Sequence, residues 1–239
     1  MINLSSVTLF TIDTTTSHIE DTIRALYTSM NGIEYGKIKL VTTKENIEKY
    51  GSELKSDGII LEEPIIPVNN YNDYNYFVIY KLNEHIDTSH CLLIQQDGFV
   101  LFPEKWNDSW LQYDYIGAPW PVVDNSFIDP FGNHHRVGNG GFSLRSKKLL
   151  EVPTKVDVPW EINNSDFYWM PPGEVNYHED GNICVHNRHI YIEQGCKFAP
   201  VEVAKNFSYE SPMQENRDIM TFGFHHNLPA GVEIDNFKL

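Results

Sequence analysis

A buried strand, an amphipathic helix and a second strand open this chain, and that order commits the sheet they belong to. Val7-Thr8-Leu9-Phe10-Thr11-Ile12 reads as an apolar strand. Ser17-His18-Ile19-Glu20 then has the spacing of a capping box, and Ile19, Ile23, Leu26, Tyr27 and Met30 recur at helical intervals. Gly32 and Gly36 punctuate the way into Lys37-Ile38-Lys39-Leu40-Val41-Thr42. Strand, helix, strand in one sheet is a right-handed parallel unit. The alternation continues with a helix over 44–50, a strand over 59–61, a Tyr-rich helix over 72–84 and an apolar strand, Leu92-Leu93-Ile94-Gln95-Gln96-Asp97, delivering a carboxylate beside Gly98. Beyond Phe102 the texture turns aromatic and rich in Pro and Gly, with no linker between the halves. The expected fold class is α/β: a single domain over 1–239 with a Rossmann-like mixed central sheet and flanking helices, in which 1–102 and 103–239 share one core.

At 239 residues, 41% apolar and 13% aromatic, the chain has material for a full core. A formal charge of −15 repels nucleic acid and anionic membrane surfaces, so neither is an expected partner, and a polyanionic ligand needs a cation or a local basic pocket. Cys91, Cys184 and Cys196 are odd in number and without paired spacing, which reads as reduced, mostly buried thiols. The N-terminus lacks a basic leader, and no run reaches the roughly 18 apolar residues of a membrane span. These features predict a soluble cytoplasmic protein.

Three further segments carry chemistry. Val137-Gly138-Asn139-Gly140-Gly141-Phe142-Ser143-Leu144-Arg145-Ser146 sets three glycines before an alternating strand, where backbone amides can approach a ligand and Asn139 and Arg145 can donate to phosphate or sugar hydroxyls; the alternative is a glycine bulge in a hairpin. His178-Glu179-Asp180-Gly181-Asn182-Ile183-Cys184 puts adjacent carboxylates at the start of an apolar-periodic helix. They serve either the helix dipole or, as a pair, proton transfer and acceptor orientation. Thr221-Phe222-Gly223-Phe224-His225-His226 supplies two imidazoles, for metal ligation or for packing.

The ordered strings QQDGF, YDYIGAPW, VGNGGFSLRS, HEDGNIC and FGFHH resemble a family long labelled as of unknown function and considered similar to glycosyltransferases of the GT-A fold. The resemblance runs from the first strand to His226. It implies a nucleotide-binding first half and an acceptor-binding second half. Where GT-A enzymes carry Asp-x-Asp, this chain has Gln95-Gln96-Asp97, so one carboxylate remains. The resemblance assigns Thr11, Ile12, Asp13, Thr43, Gln95, Asp97 and Arg145 to the nucleotide. Asp97 with His225 or His226 falls to Mn²⁺ or Mg²⁺, and Trp120, Asn139, Gly140 and Gly141 to the acceptor. In inverting members an acidic pair resembling Glu179-Asp180 supplies the base, usually through its second residue.

The implied activity is metal-assisted transfer of a sugar from a nucleotide-diphosphate donor, UDP favoured, to a hydroxyl of a glycan or other acceptor. For Thr11 to Asp13 an Asx turn capping the following helix is the alternative, and for Trp106, Trp110 and Trp120 it is core packing. A sugar nucleotidyltransferase shares such a core but needs a Gly-rich basic loop after the first strand, and Asp13-Thr14-Thr15-Thr16-Ser17 has neither glycine nor lysine. A noncatalytic sugar- or nucleotide-binding protein accounts for the aromatics but has no need of Asp97 and the acidic pair together. A histidine-rich metallohydrolase lacks tight ligand spacing.

Overall fold

Neighbouring side chains along the first strand leave for opposite faces of a sheet, and both faces are dry. The computed structural model describes residues 1–122, 127–160 and 178–234. The elements in order are β1 (Ile2–Asp13), α1 (Ile19–Met30), β2 (Ile33–Thr42), α2 (Lys44–Ser56), β3 (Ile60–Glu62), α3 (Tyr71–Tyr80), β4 (His90–Leu93), β5 (Tyr115–Ile116) and β6 (Ser143–Ser146). They are followed by α4 (Lys147–Leu150), α5 (Val152–Lys155), α6 (Glu179–Gly181), α7 (Arg188–Glu193), α8 (Val201–Phe207), β7 (Ser208–Tyr209) and β8 (Gly223–Phe224).

Six strands form one sheet in the order β3-β2-β1-β4-β6-β5. The first four run parallel, while β6 is antiparallel to both β4 and β5. Leu9, Leu92, Leu144 and Ile116 enter one apolar cluster, and Phe10, Cys91, Leu93 and Tyr115 enter the other, as the two-residue period of a strand requires. Helix α1 turns Ile19, Ala25 and Leu26 onto the first face, and α3 turns Phe77, Val78 and Ile79 onto the second. The result is the expected α/β architecture with helices on both sides of a mixed sheet. All three cysteines are buried free thiols. Among the described residues no helix is long and apolar enough to cross a membrane.

Several boundaries differ from the sequence expectation. Helix α1 begins one residue late for the capping box: His18 occupies the N-cap with no side-chain bond, and Glu20 faces Tyr50, whose hydroxyl donates to it at 2.7 Å. The N-terminal amide of His18 is served by Thr15 Oγ1 at 3.2 Å, so the preceding turn does the work assigned to Ser17. The Tyr-rich helix ends at Tyr80, with a separate 3₁₀ turn over Leu82–His85. Strand β4 ends at Leu93, and Asp97 stands beyond it in a tight reversal, where Gln95 and Gly98 exchange backbone hydrogen bonds of 2.9 and 3.1 Å. The segment after α6 is a π-helix over Asn182–His186.

That reversal determines what meets Asp97. The chain leaving it runs alongside the C-terminal segment: Leu101 N–H donates to the Phe222 carbonyl at 2.8 Å, and Val100 bridges Gly223. Pairing of β7 with β8 continues the alignment, and His226 N–H donates to the Asp97 carbonyl at 2.7 Å.

Candidate functional site

A cavity of about 400 Å³ opens where the Gly-rich loop before β6, the first turn of α6 and the segment after β7 converge. Gln95, Trp120, Asn139, Gly140, Gly141, Glu179, Asp180 and His225 all line it, so eight of the expected site residues, drawn from Gln95 to His225 in sequence, share one cavity. Tyr71, Tyr74, Phe127, His178, Glu210 and Ser211 complete most of the rest. Sequence reasoning named His178 only at the head of the acidic string and missed the other five. The tyrosines sit in a helix whose apolar pattern gives no facing direction, and Glu210 has no motif around it.

The glycines of the loop are seats for side chains arriving from elsewhere. A Cβ on Gly140 would fall 1.5 Å from Glu179 Oε1, and one on Gly141 would fall 2.1 Å from His225 Nε2. Neither distance is physically possible, so an added methyl displaces the acidic pair or the imidazole. Between them Asn139 adopts a left-handed backbone (φ 61), and its amide meets His225 Nδ1 at 2.9 Å. We expect Gly140→Ala to destabilise the protein by about 1–3 kcal/mol through this overpacking, read as a lowered urea midpoint. A midpoint unchanged within error would show that the Glu179 carboxylate can move aside.

The two adjacent carboxylates have different surroundings. Glu179 is buried and ion-paired to Arg145 at 2.9 Å, and its amide donates to Asn75 Oδ1 at 2.8 Å. Burial pushes the Glu179 carboxyl up, opposed by Arg145 and reinforced by the neighbouring Asp180 charge. Asp180 is only partly buried; it accepts from the Gly140 amide at 3.1 Å and from the Gly181 amide at 2.7 Å, which fixes the carboxylate at the cavity wall. Glu179 therefore holds the turn in place, and Asp180 faces the open volume.

Arg145 was expected at phosphate or sugar. It is instead fully buried and absent from the lining, because β6 is an interior strand covered on both faces. Its guanidinium is committed to Glu179, to Ser143 Oγ at 2.9 Å and to the face of Tyr115. Thr11, Ile12 and Asp13 are also buried. Asp13 accepts from Thr15 N–H at 2.8 Å and from the hydroxyls of Thr15 and Thr22 at 2.7 Å, the Asx turn given as the alternative for this segment. Thr43 caps α2, accepting from Asn46 N–H at 3.3 Å, and lines a separate cavity of about 500 Å³ with Thr14, Thr15, Lys44 and Pro64. Trp106 and Trp110 meet edge to face at 5.3 Å within the core. Trp120 stacks on Phe127 with centroids 4.2 Å apart; being only 6% exposed, it offers the cavity little of its ring.

Asp97 does not line this cavity; it lines a smaller one of about 200 Å³ with His18, Asp21 and Arg24, and approaches the first through His225. His225 Nε2 lies 3.8 Å from one of its oxygens and His226 Nδ1 lies 3.8 Å from the other. The far side of His225 faces Asn139 and Glu210, the latter at 3.4 Å. Burial is the largest influence on His225 and lowers its pKa, but Glu210, Asp97 and Asp180 together outweigh it and leave the pKa raised. Among the described residues no three His, Cys, Asp or Glu side chains close on one point as a preformed metal cage would. A half-exposed carboxylate flanked by imidazoles fits a cation that takes its remaining ligands from a diphosphate and water.

The architecture is that of a single α/β domain with a mixed central sheet, a fold similar to those of solved glycosyltransferases. Mouse xyloside xylosyltransferase 1, in its apo form, superposes with a TM-score of 0.53 at 10% identity, over 97% of this chain and 100% of that one. A glycosyltransferase involved in glycosylation of the major capsid of PBCV-1 aligns at 13% identity and a TM-score of 0.46, over 97% of this chain and 96% of that one. No curated protein matches the sequence. The family profile described as "Protein of unknown function (DUF5672)" matches residues 61–225, and the chain belongs to that family.

Proposed function

We propose that this protein is a glycosyltransferase that moves a sugar from a nucleoside-diphosphate donor, UDP favoured by resemblance, to an acceptor hydroxyl with inversion. One observation carries the reading: Asp180 stands on the same cavity wall as His225, which in turn meets Asp97. A proton acceptor lines the cavity, and the carboxylate that would face the leaving diphosphate lies just behind His225, in the neighbouring cavity.

In the reaction, the acceptor oxygen forms a bond to the anomeric carbon as the carbon–oxygen bond to the diphosphate breaks. The bonding pair leaves with the diphosphate, and the hydroxyl proton passes to the Asp180 carboxylate. The Gly140 and Gly181 amides hold that carboxylate in place throughout. Asp97 with His225 or His226 would hold Mn²⁺ or Mg²⁺, which supplies charge neutralisation for the diphosphate in a protein of net charge −15. The nucleoside then lies toward the cavity at Thr43 and Lys44, over the C-terminal ends of β1 and β2, the usual ligand side of an open α/β sheet.

A thermal-shift series of nucleoside diphosphates with and without Mn²⁺ tests the donor half. At about 100 times the dissociation constant, binding stabilises by about 2.7 kcal/mol, a rise in Tm of roughly 5–10 °C for a domain of this size. Asp97→Asn keeps the side-chain shape and should remove the Mn²⁺-dependent part of the rise while leaving the ligand-free Tm in place. An equal Mn²⁺-dependent rise in that variant overturns the role of Asp97, and no rise with any nucleoside diphosphate overturns the donor assignment.

A further inference from the structure

We infer that the cavity beside Asp180 takes an uncharged, hydroxyl-rich sugar ring and rejects sugars that carry a carboxylate or phosphate. The inference rests on the glycosyl-transfer reading for its biological meaning, but its physical basis is the lining itself.

The charged side chains lining the cavity are the carboxylates of Glu179, Asp180 and Glu210 and the imidazoles of His178 and His225, with the hydroxyls of Tyr71, Tyr74 and Ser211 beside them. Among the described residues Asp180 and Glu210 are the two lining carboxylates with no arginine partner. Among the described residues that line the cavity there is neither Lys nor Arg. The nearest buried guanidinium, Arg145, is spent on Glu179, and the sequence from 156 to 187 holds no basic side chain other than histidine. With His225 protonated and His178 neutral, burial having lowered the His178 pKa, the carboxylates of Asp180 and Glu210 outnumber the one imidazolium. Hydroxyls donate to such a wall; carboxylates and phosphates are acceptors of the same sign as the wall. Tyr71, 49% exposed and stacked on Tyr74 at 6.3 Å, supplies the apolar face against which the C–H side of a ring packs.

Glu210 is the specificity-determining residue of this arrangement. Its contact among the expected site residues is His225, expected as a metal ligand, and among the carboxylates in the lining it is neither matched by an arginine nor assigned to proton transfer. A ligand carboxylate within several ångströms of two like charges in a partly enclosed site loses tenfold or more in affinity.

The test compares methyl β-glucoside with methyl β-glucuronide, which differ by a C6 carboxylate, binding to the full chain without donor, followed by calorimetry or saturation-transfer NMR. The glucoside should bind at least tenfold more tightly, and the ratio should shrink toward one in about 1 M salt, where the screening length falls to roughly 3 Å. Glu210→Gln should lower the ratio several-fold. Equal binding of both sugars, preference for the glucuronide, or a ratio indifferent to salt overturns the inference even if Glu210→Gln fails to fold. Donor turnover is read separately. Discrimination between sugars without turnover of any UDP-sugar leaves the selectivity standing and removes the transfer reading, and turnover without discrimination does the reverse.

Discussion

Asp180→Asn should lower kcat by a factor on the order of 10² to 10⁴ while nucleotide affinity stays near that of the native protein. The substitution keeps size and removes the proton-accepting charge. Both carboxylate oxygens of Asp180 accept from backbone amides, at 3.1 and 2.7 Å, so the asparagine loses one of two such bonds and rearranges little. Glu179→Gln provides the contrast. Its carboxylate is buried in the cavity wall and bound to Arg145, so the amide leaves a guanidinium half-matched in the interior, and the loss shows in stability ahead of acceptor KM. Steady-state kinetics on both variants with a common donor separate the two roles. Full turnover by Asp180→Asn, or a product that keeps the donor's anomeric configuration, would end the inverting assignment.

Much of this arrangement is legible in the chain because it is local. The parallel opening follows from apolar runs flanking a helix of period 3.6; α1 falls within a residue of that reading, while β2 begins at Ile33 and runs through Gly36, four residues ahead of the expected Lys37. The Gly-rich loop and the acidic pair stand out as strings, and each lands at the cavity. What the chain does not display is which side of an element faces what. Arg145 looks available in a string that reads as an alternating strand; the insertion of β6 between β4 and β5 makes it interior. Asp13 reads equally well as a ligand contact and as a turn, and the deciding partner, Thr22, lies a helical turn into α1. Glu210 and Tyr71 reach the site through contacts with residues far off in sequence, so no spacing announces them. The orphan amide oxygen of Asn139 is a property of three-dimensional satisfaction and has no sequence signature.

The buried pair carries the larger stability prediction. Arg145→Met strands the Glu179 carboxylate in a region where it is almost completely removed from water, and removal of one partner of a buried ion pair costs about 3–5 kcal/mol. For a domain of this size that is a fall in Tm of roughly 6–20 °C. Arg145→Met combined with Glu179→Met replaces both charges by apolar volume and should recover most of the loss, since no group is then left unpaired. The single variant should also acquire a pH dependence whose sign follows from Glu179. Burial already raises its folded pKa above the unfolded value, and Arg145 is the main influence holding it down. Without Arg145 the folded value rises further. An acid shifted in that direction contributes stability that is fully present below the unfolded carboxylate pKa of about 4.3 and is lost as pH climbs through the folded value. The deficit of Arg145→Met relative to the native protein should therefore be smallest near pH 4 to 5 and largest at neutral pH and above. Urea denaturation of the native, single and double variants across that range measures it. A deficit that stays constant with pH, or a double variant no more stable than the single, would mean that Glu179 does not depend on Arg145 for its charge, and the anchor assigned to the turn beneath Asp180 would have to be sought elsewhere.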